Sequence, residues 1–152
     1  MPLKINDAAP NFTLDSTTGE QFTLDKNQKN KACIIYFYPK DFTSVCTQEA
    51  CSFRDEFSVF KDLDIEVIGI SKDSIETHLK FQKANRLPFE LLSDPSGNVI
   101  RQYKAMLPLI GVPRRVTYLL NKKHKIAAVL EDMFHADEHI KTMIEQVKSG
   151  DL

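Results

Sequence analysis

Seven consecutive residues, Ala32-Cys33-Ile34-Ile35-Tyr36-Phe37-Tyr38, carry no charge and no amide, and Pro39 follows them directly. A run this short and this apolar reads as a strand covered on both faces, because a strand with one wet face would alternate. A strand buried on both sides needs packed layers above and below it. Ile65-Glu66-Val67-Ile68-Gly69-Ile70-Ser71 reads as a second buried strand. Leu91-Leu92-Ser93 reads as a short strand, closed by Asp94-Pro95-Ser96-Gly97.

Helical periodicity fills the gaps. From about Cys46 to Lys61 the apolar residues Ala50, Phe53, Phe57 and Phe60 recur at three or four, which leaves Glu49, Arg54, Asp55 and Glu56 to point largely outward. Ile75, Leu79 and Ala84 mark a helix ending before Pro88, and Val99 to Tyr103 form one or two turns. A final helix, Ala136 to Lys148, carries Ile140, Ile144 and Val147 on one face. Phe12 to Leu14 and Gln21 to Leu24 read as an N-terminal hairpin, and Arg115 to Leu120 with Ile126 to Leu130 as a later one. The order hairpin, β, α, β, α, β, β, α implies a central mixed sheet with helices on both faces, since parallel neighbours require a crossover. No repeat or linker interrupts the chain, so residues 1–152 are expected to form a single domain. The pattern is compatible with a thioredoxin-like α/β fold, although periodicity alone does not separate it from other three-layer sandwiches.

Lys and Arg total 20 against 21 for Asp and Glu, a formal net charge of -1, which predicts neither a nucleic-acid footprint nor a polybasic membrane patch. No segment has the apolar length of a secretory signal or a membrane span, so the expected location is cytoplasmic. Three cysteines, Cys33, Cys46 and Cys51, in a chain without an export signal do not suggest a structural disulfide framework. Metal binding and redox chemistry remain.

The segment from Tyr36 to Asp55 places Cys46 where a loop becomes a helix. Unpaired N–H groups and the positive end of the helix dipole favour an anion there, so the thiol should ionise more readily than a free one. Such a cysteine can also be a small apolar residue closing a loop. Its surroundings argue otherwise. Pro39, Thr43 and Cys46 form a P-x-x-x-T-x-x-C pattern directly after a buried strand, followed by Thr47, Glu49, Ala50 and Cys51 as T-x-E-A-C.

This pattern resembles the active-site segment of the peroxiredoxins, and is most similar to the branch containing bacterioferritin comigratory protein and the plant Q-type enzymes. Asn6 to Leu14, Leu92 to Pro95 and Arg115 to Leu119 extend the resemblance over most of the chain. It implies a thioredoxin-like fold and a thiol peroxidase needing no metal, haem or flavin. Cys46 would be the peroxidatic cysteine, Thr43 would supply a hydroxyl to the reacting site, and Pro39 would shield it from water. An arginine from a later strand would sit against the thiolate. Of Arg114 and Arg115 only one can face the pocket by strand alternation, and Arg115 has the family spacing to Thr117. Glu49, three residues after Cys46, either orients Arg115 or a backbone donor, or is an ordinary first-turn acid. Cys51 resembles the resolving cysteine, implying an intramolecular Cys46–Cys51 disulfide reduced by thioredoxin or a glutaredoxin-like donor. Cys33 reads as packing.

Hydrogen peroxide and alkyl hydroperoxides both suit this reading, and a monomer is the expected state, with a weak dimer as the alternative. One departure stands out: Ser44 and Val45 replace a common Pro-Gly, and Val45 must keep an ordinary backbone conformation. Two other readings remain open. One is a zinc module using Cys46, Cys51, His135 and His139, set against the plainer reading that His135 precedes or caps the last helix and His139 is solvated; the other is a non-catalytic redox sensor using the same cysteine pair.

Overall fold

The structure is a computed structural model that describes residues 1–131, 136–150 and 152. Within these residues the strands are β1 (Thr13–Ser16), β2 (Gln21–Thr23), β3 (Cys33–Phe37), β4 (Glu66–Ser71), β5 (Leu91–Ser93), β6 (Val116–Leu120) and β7 (Ile126–Glu131). The helices are α1 (Leu24–Asn27), α2 (Ser44–Asp55), α3 (Phe57–Asp62), α4 (Ile75–Ala84), α5 (Asn98–Gln102) and α6 (Ala136–Ser149). All seven strands join one sheet in the order β2-β1-β5-β4-β3-β6-β7. β3 and β5 run parallel to β4, whereas β6 is antiparallel to β3 and the N-terminal hairpin adds antiparallel to β5. This is the mixed α/β sheet expected from the sequence.

β3 is the axis of the fold, and its alternation builds two cores. Ile34, Tyr36 and Tyr38 point into one face, against Ala50 and Phe53 of α2, Phe60 of α3, Phe81 of α4 and Met143 of α6. Cys33, Ile35 and Phe37 point into the other, against Phe12, Phe22, Leu24, Ile100 and Tyr103. The Cys33 thiol is pushed up to about 12, first by burial and then by the charge of Glu66, so it has no tendency to ionise.

The structure corrects three element readings. The helix expected from about Cys46 to Lys61 begins two residues earlier, at Ser44, and breaks at Glu56 into α2 and α3. In one straight helix Phe53 and Phe60 would be offset by about 10.5 Å along the axis; the break brings their rings to 5.9 Å. On α4 the buried residues are His78 and Phe81, whereas Leu79 is 44% exposed, so the inward stripe runs through His78. Finally, Leu24 opens the short helix α1 instead of ending a strand.

Gly69 of β4 lies opposite Tyr36. A Cβ there would come within 2.8 Å of both Leu91 and the Tyr36 ring. Its absence lets Tyr36 lie across the sheet and stack on Phe53 at 4.8 Å, which seats α2. Among the described residues no helix is long and apolar enough to cross a membrane.

Candidate active site

The loop after β3 delivers α2 to the C-terminal end of the strand. Pro39 is half-buried, Asp41 is buried, and Phe42 takes the left-handed conformation at φ 65. That conformation costs a residue with a Cβ about 1–2 kcal/mol. Val45 lies inside the helix, so the turn's positive φ falls on Phe42 rather than next to the cysteine. Thr43 is the N-cap in extended conformation. Its hydroxyl donates to the Lys40 carbonyl at 2.7 Å. The first helical bond runs from the Thr47 N–H to the Thr43 carbonyl, so the N–H groups of Ser44, Val45 and Cys46 have no carbonyl partner within the helix.

Cys46 is therefore the third helical residue, and it is 1% exposed. Across from it Arg115 precedes β6 by one residue and is itself buried. Its guanidinium works as a fork. Nη2 donates to Cys46 Sγ at 3.1 Å, and Nη1 donates to Glu49 Oε1 at 2.6 Å. Strand alternation puts Arg115 on the same face as Thr117, whereas Arg114 turns away and pairs with Glu131. The Glu49 and Cys46 charges together hold the Arg115 pKa above its usual value despite desolvation, which acts against them.

Glu49 is wholly buried, which corrects the outward orientation expected from the helical pattern. The three-residue spacing from Cys46 places both side chains toward β6, and Arg115 lies between them. His139 of α6, expected in solvent, is also buried. Its Nδ1 lies 2.8 Å from Thr117 Oγ1 and 3.8 Å from Glu49 Oε2, closing the site from below. Cys51 faces elsewhere: it is half-buried, with Sγ 3.6 Å from Asn85 Oδ1. Arg54 fixes the same corner by donating to the Asn85 carbonyl at 2.8 Å. All three cysteines are free thiols.

The structure thus brings Cys46, Glu49 and Arg115 into contact, sets Thr43 one turn ahead, and leaves Cys51 on another side of the helix. His135 lies outside the described residues. The metal-ligand cluster found among the described residues is Asp41, Asp73 and His78, which contains none of the residues of the zinc alternative. His78 was not singled out from the sequence, and His139 was named only for the zinc alternative. The spacing Ile75, His78, Phe81 could have put His78 on the buried stripe, whereas the partner of His139 lies 22 residues away in another element.

The AhpC/TSA family profile matches residues 5–129. The chain is 38% identical over 143 residues to a chloroplastic peroxiredoxin Q of Populus jackii, covering 93% of this chain and 67% of the relative. It is 38% identical over 150 residues to peroxiredoxin bcp of Coxiella burnetii, covering 95% of this chain and 98% of the relative. Among solved structures, peroxidoxin BcpB of Mycobacterium tuberculosis superposes with a TM-score of 0.91 at 29% identity, covering 97% of both chains.

Burial pushes the Glu49 carboxyl up from 4.5 to about 7, with the Arg115 charge and hydrogen bond pulling the other way. A raised carboxyl pKa means that the folded protein holds this proton more tightly than the unfolded chain does. The stability that protonation contributes is therefore complete below about 4.5 and is lost as pH rises through about 7. Glu49→Gln abolishes this dependence. Relative to wild type, the unfolding free energy of the variant should rise by on the order of 3 kcal/mol between pH 4.5 and 7, read from urea unfolding at stepped pH. A difference that stays flat across this range would mean that Glu49 does not titrate there.

Proposed function

The chain belongs to the AhpC/TSA family, and on that premise we propose that it is a cytoplasmic thiol peroxidase in which Cys46 attacks the O–O bond of a hydroperoxide. The observation that carries this reading is the Arg115 fork, which holds one N–H on the Cys46 sulfur and another on Glu49. An N–H donor aimed at sulfur suits a thiolate acceptor, and the same guanidinium can hydrogen-bond the peroxide oxygens as charge develops on them. The Thr43 hydroxyl already donates its proton to Lys40, so toward the pocket it can only accept. An incoming ROO–H supplies the matching donor. Pro39 closes the loop side of the pocket.

In the first step the thiolate sulfur bonds to the terminal oxygen and the O–O bond breaks. Sulfur is oxidised by two electrons to the sulfenic acid, and ROH leaves after taking up one proton. The Cys51 thiol then displaces the sulfenic oxygen as water, forming the Cys46–Cys51 disulfide. An external dithiol of the thioredoxin or glutaredoxin type reduces it by exchange. Residues 1–152 act as one domain in this cycle.

The decisive test is a coupled peroxidase assay with a dithiol donor. Cys46→Ser removes turnover while Cys33→Ser keeps most of it. Arg115→Ala slows Cys46 oxidation roughly ten- to a hundredfold, the loss of one charge-assisted contact, and Arg114→Ala leaves it nearly intact. Wild-type turnover in Cys46→Ser, or equal losses from the two arginines, would contradict the assignment.

The disulfide demands a change of shape. Five residues along a helix separate the two Cα atoms by roughly 8.6 Å, and a disulfide needs about 4.4–6.8 Å. The first turns of α2 therefore unwind after oxidation, freeing Cys51 from Asn85. Hydrogen exchange over Thr47 to Arg54 accelerates on oxidation in wild type, and Cys51→Ser abolishes the acceleration. Unchanged slow exchange in a protein shown by peptide mapping to carry the disulfide would rule out unwinding.

A further inference from the structure

A second buried polar assembly lies beside the reactive loop and takes no part in the chemistry above. Asp41 and His78 are both buried, at 2% and 0% exposure. His78 Nε2 lies 2.9 Å from the Leu92 carbonyl, and a carbonyl only accepts, so Nε2 carries a proton. His78 Nδ1 lies 2.6 Å from Asp41 Oδ2, with a proton shared between them, and Tyr38 donates its hydroxyl to Asp41 Oδ1 at 2.6 Å. Both carboxylate oxygens are thereby tied to the sheet and to α4.

The backbone of the same residue is held separately. The Asp41 N–H donates to Asp73 Oδ2 at 2.9 Å, and Asp73 is fixed in turn by the Ser71 hydroxyl at 2.6 Å. That N–H belongs to the peptide unit joining Lys40 to Asp41. The carbonyl of that peptide unit, on Lys40, accepts the Thr43 hydroxyl. One rigid plane therefore links Asp73 on one side to Thr43 on the other, and Phe42, held at φ 65, lies between them.

We propose that His78, with Asp41 and Asp73, is a positioning residue for peroxide reduction: it locks the Lys40–Asp41 peptide plane so that the Thr43 hydroxyl is presented to the substrate. His78 touches neither Cys46 nor the peroxide and acts only through Thr43. The proposal rests on the peroxidase reading. It adds a specific consequence, because a group that works through Thr43 has nothing to contribute once that hydroxyl is gone.

The test is a double-mutant cycle between His78→Asn and Thr43→Val. It reads the second-order rate of Cys46 oxidation by hydrogen peroxide in stopped flow, with Cys46→Ser alongside and folding checked by near-UV circular dichroism. A displacement of about 1 Å at a reacting group costs up to roughly a hundredfold, so His78→Asn should slow oxidation about tenfold or more. In the Thr43→Val background the same substitution should change the rate by less than about twofold. The rate at which dithiothreitol reduces the disulfide should be unaltered, since that step does not use Thr43. Full slowing in the Thr43→Val background, or a wild-type rate in folded His78→Asn, overturns the proposal. Activity in Cys46→Ser would overturn the peroxidase reading itself. If His78→Asn does not fold, Tyr38→Phe removes a single hydrogen bond from Asp41, and its own cycle with Thr43→Val is read by the same criteria.

Discussion

One guanidinium organises the site. Arg115 is a buried cation, and desolvating such a charge costs several kcal/mol unless its donors are satisfied. Here Nη1 and Nη2 go to two residues of one helix, Glu49 and Cys46, which fixes how α2 sits on the end of β6. The antiparallel pairing of β3 with β6 makes this possible. Its register ends with Phe37 opposite Val116, so Arg115 falls next to the point where the chain leaves the sheet for the reactive loop. The same balance predicts that loss of Glu49 or Arg115 takes from the other a charged partner inside the protein.

The fold asks two opposed things of α2. Its first turn must stay formed to present free N–H groups around Cys46, yet the Cys46–Cys51 step needs those turns to open. The distribution of contacts suits this division. Cys51 and Arg54 are held to α4 by two bonds to Asn85 at the rim, while the loop before the helix is anchored by the buried Asp41–His78 and Asp41–Asp73 bonds. The break at Glu56 separates α2 from α3, so opening α2 need not disturb Phe60 in the core. The stable part of the site precedes Cys46, and the part that must move follows it.

Much of this was legible in the residues. The uninterrupted β3 run announced a strand covered on both faces, and the Pro39, Thr43, Cys46 spacing placed a cysteine at the start of a helix. Strand alternation meant that only one of Arg114 and Arg115 could face the pocket, and the family spacing to Thr117 pointed to Arg115. The illegible parts are polar pairs between distant elements, His139 with Thr117 and His78 with Asp41, while the pairing of Glu49 with Arg115 stood only as one of several readings of Glu49. A charged or polar residue on a helix reads as solvated when what accounts for its burial includes a partner 22, 37 or 66 residues away. That is why Glu49 and His139 were expected outside and are found inside. The break in the first long helix was hidden for a related reason, since it serves the contact between Phe53 and Phe60 rather than any local breaker residue.

The most direct test of the central claim is to ask where the peroxide oxygen lands. In Cys51→Ser, treated with less than one equivalent of hydroperoxide in the presence of the sulfenic-acid trap dimedone, peptide mass mapping should find the adduct on Cys46 alone. Cys33, buried and held protonated, should carry none. An adduct on Cys33, or an even division between the two cysteines, would contradict the account.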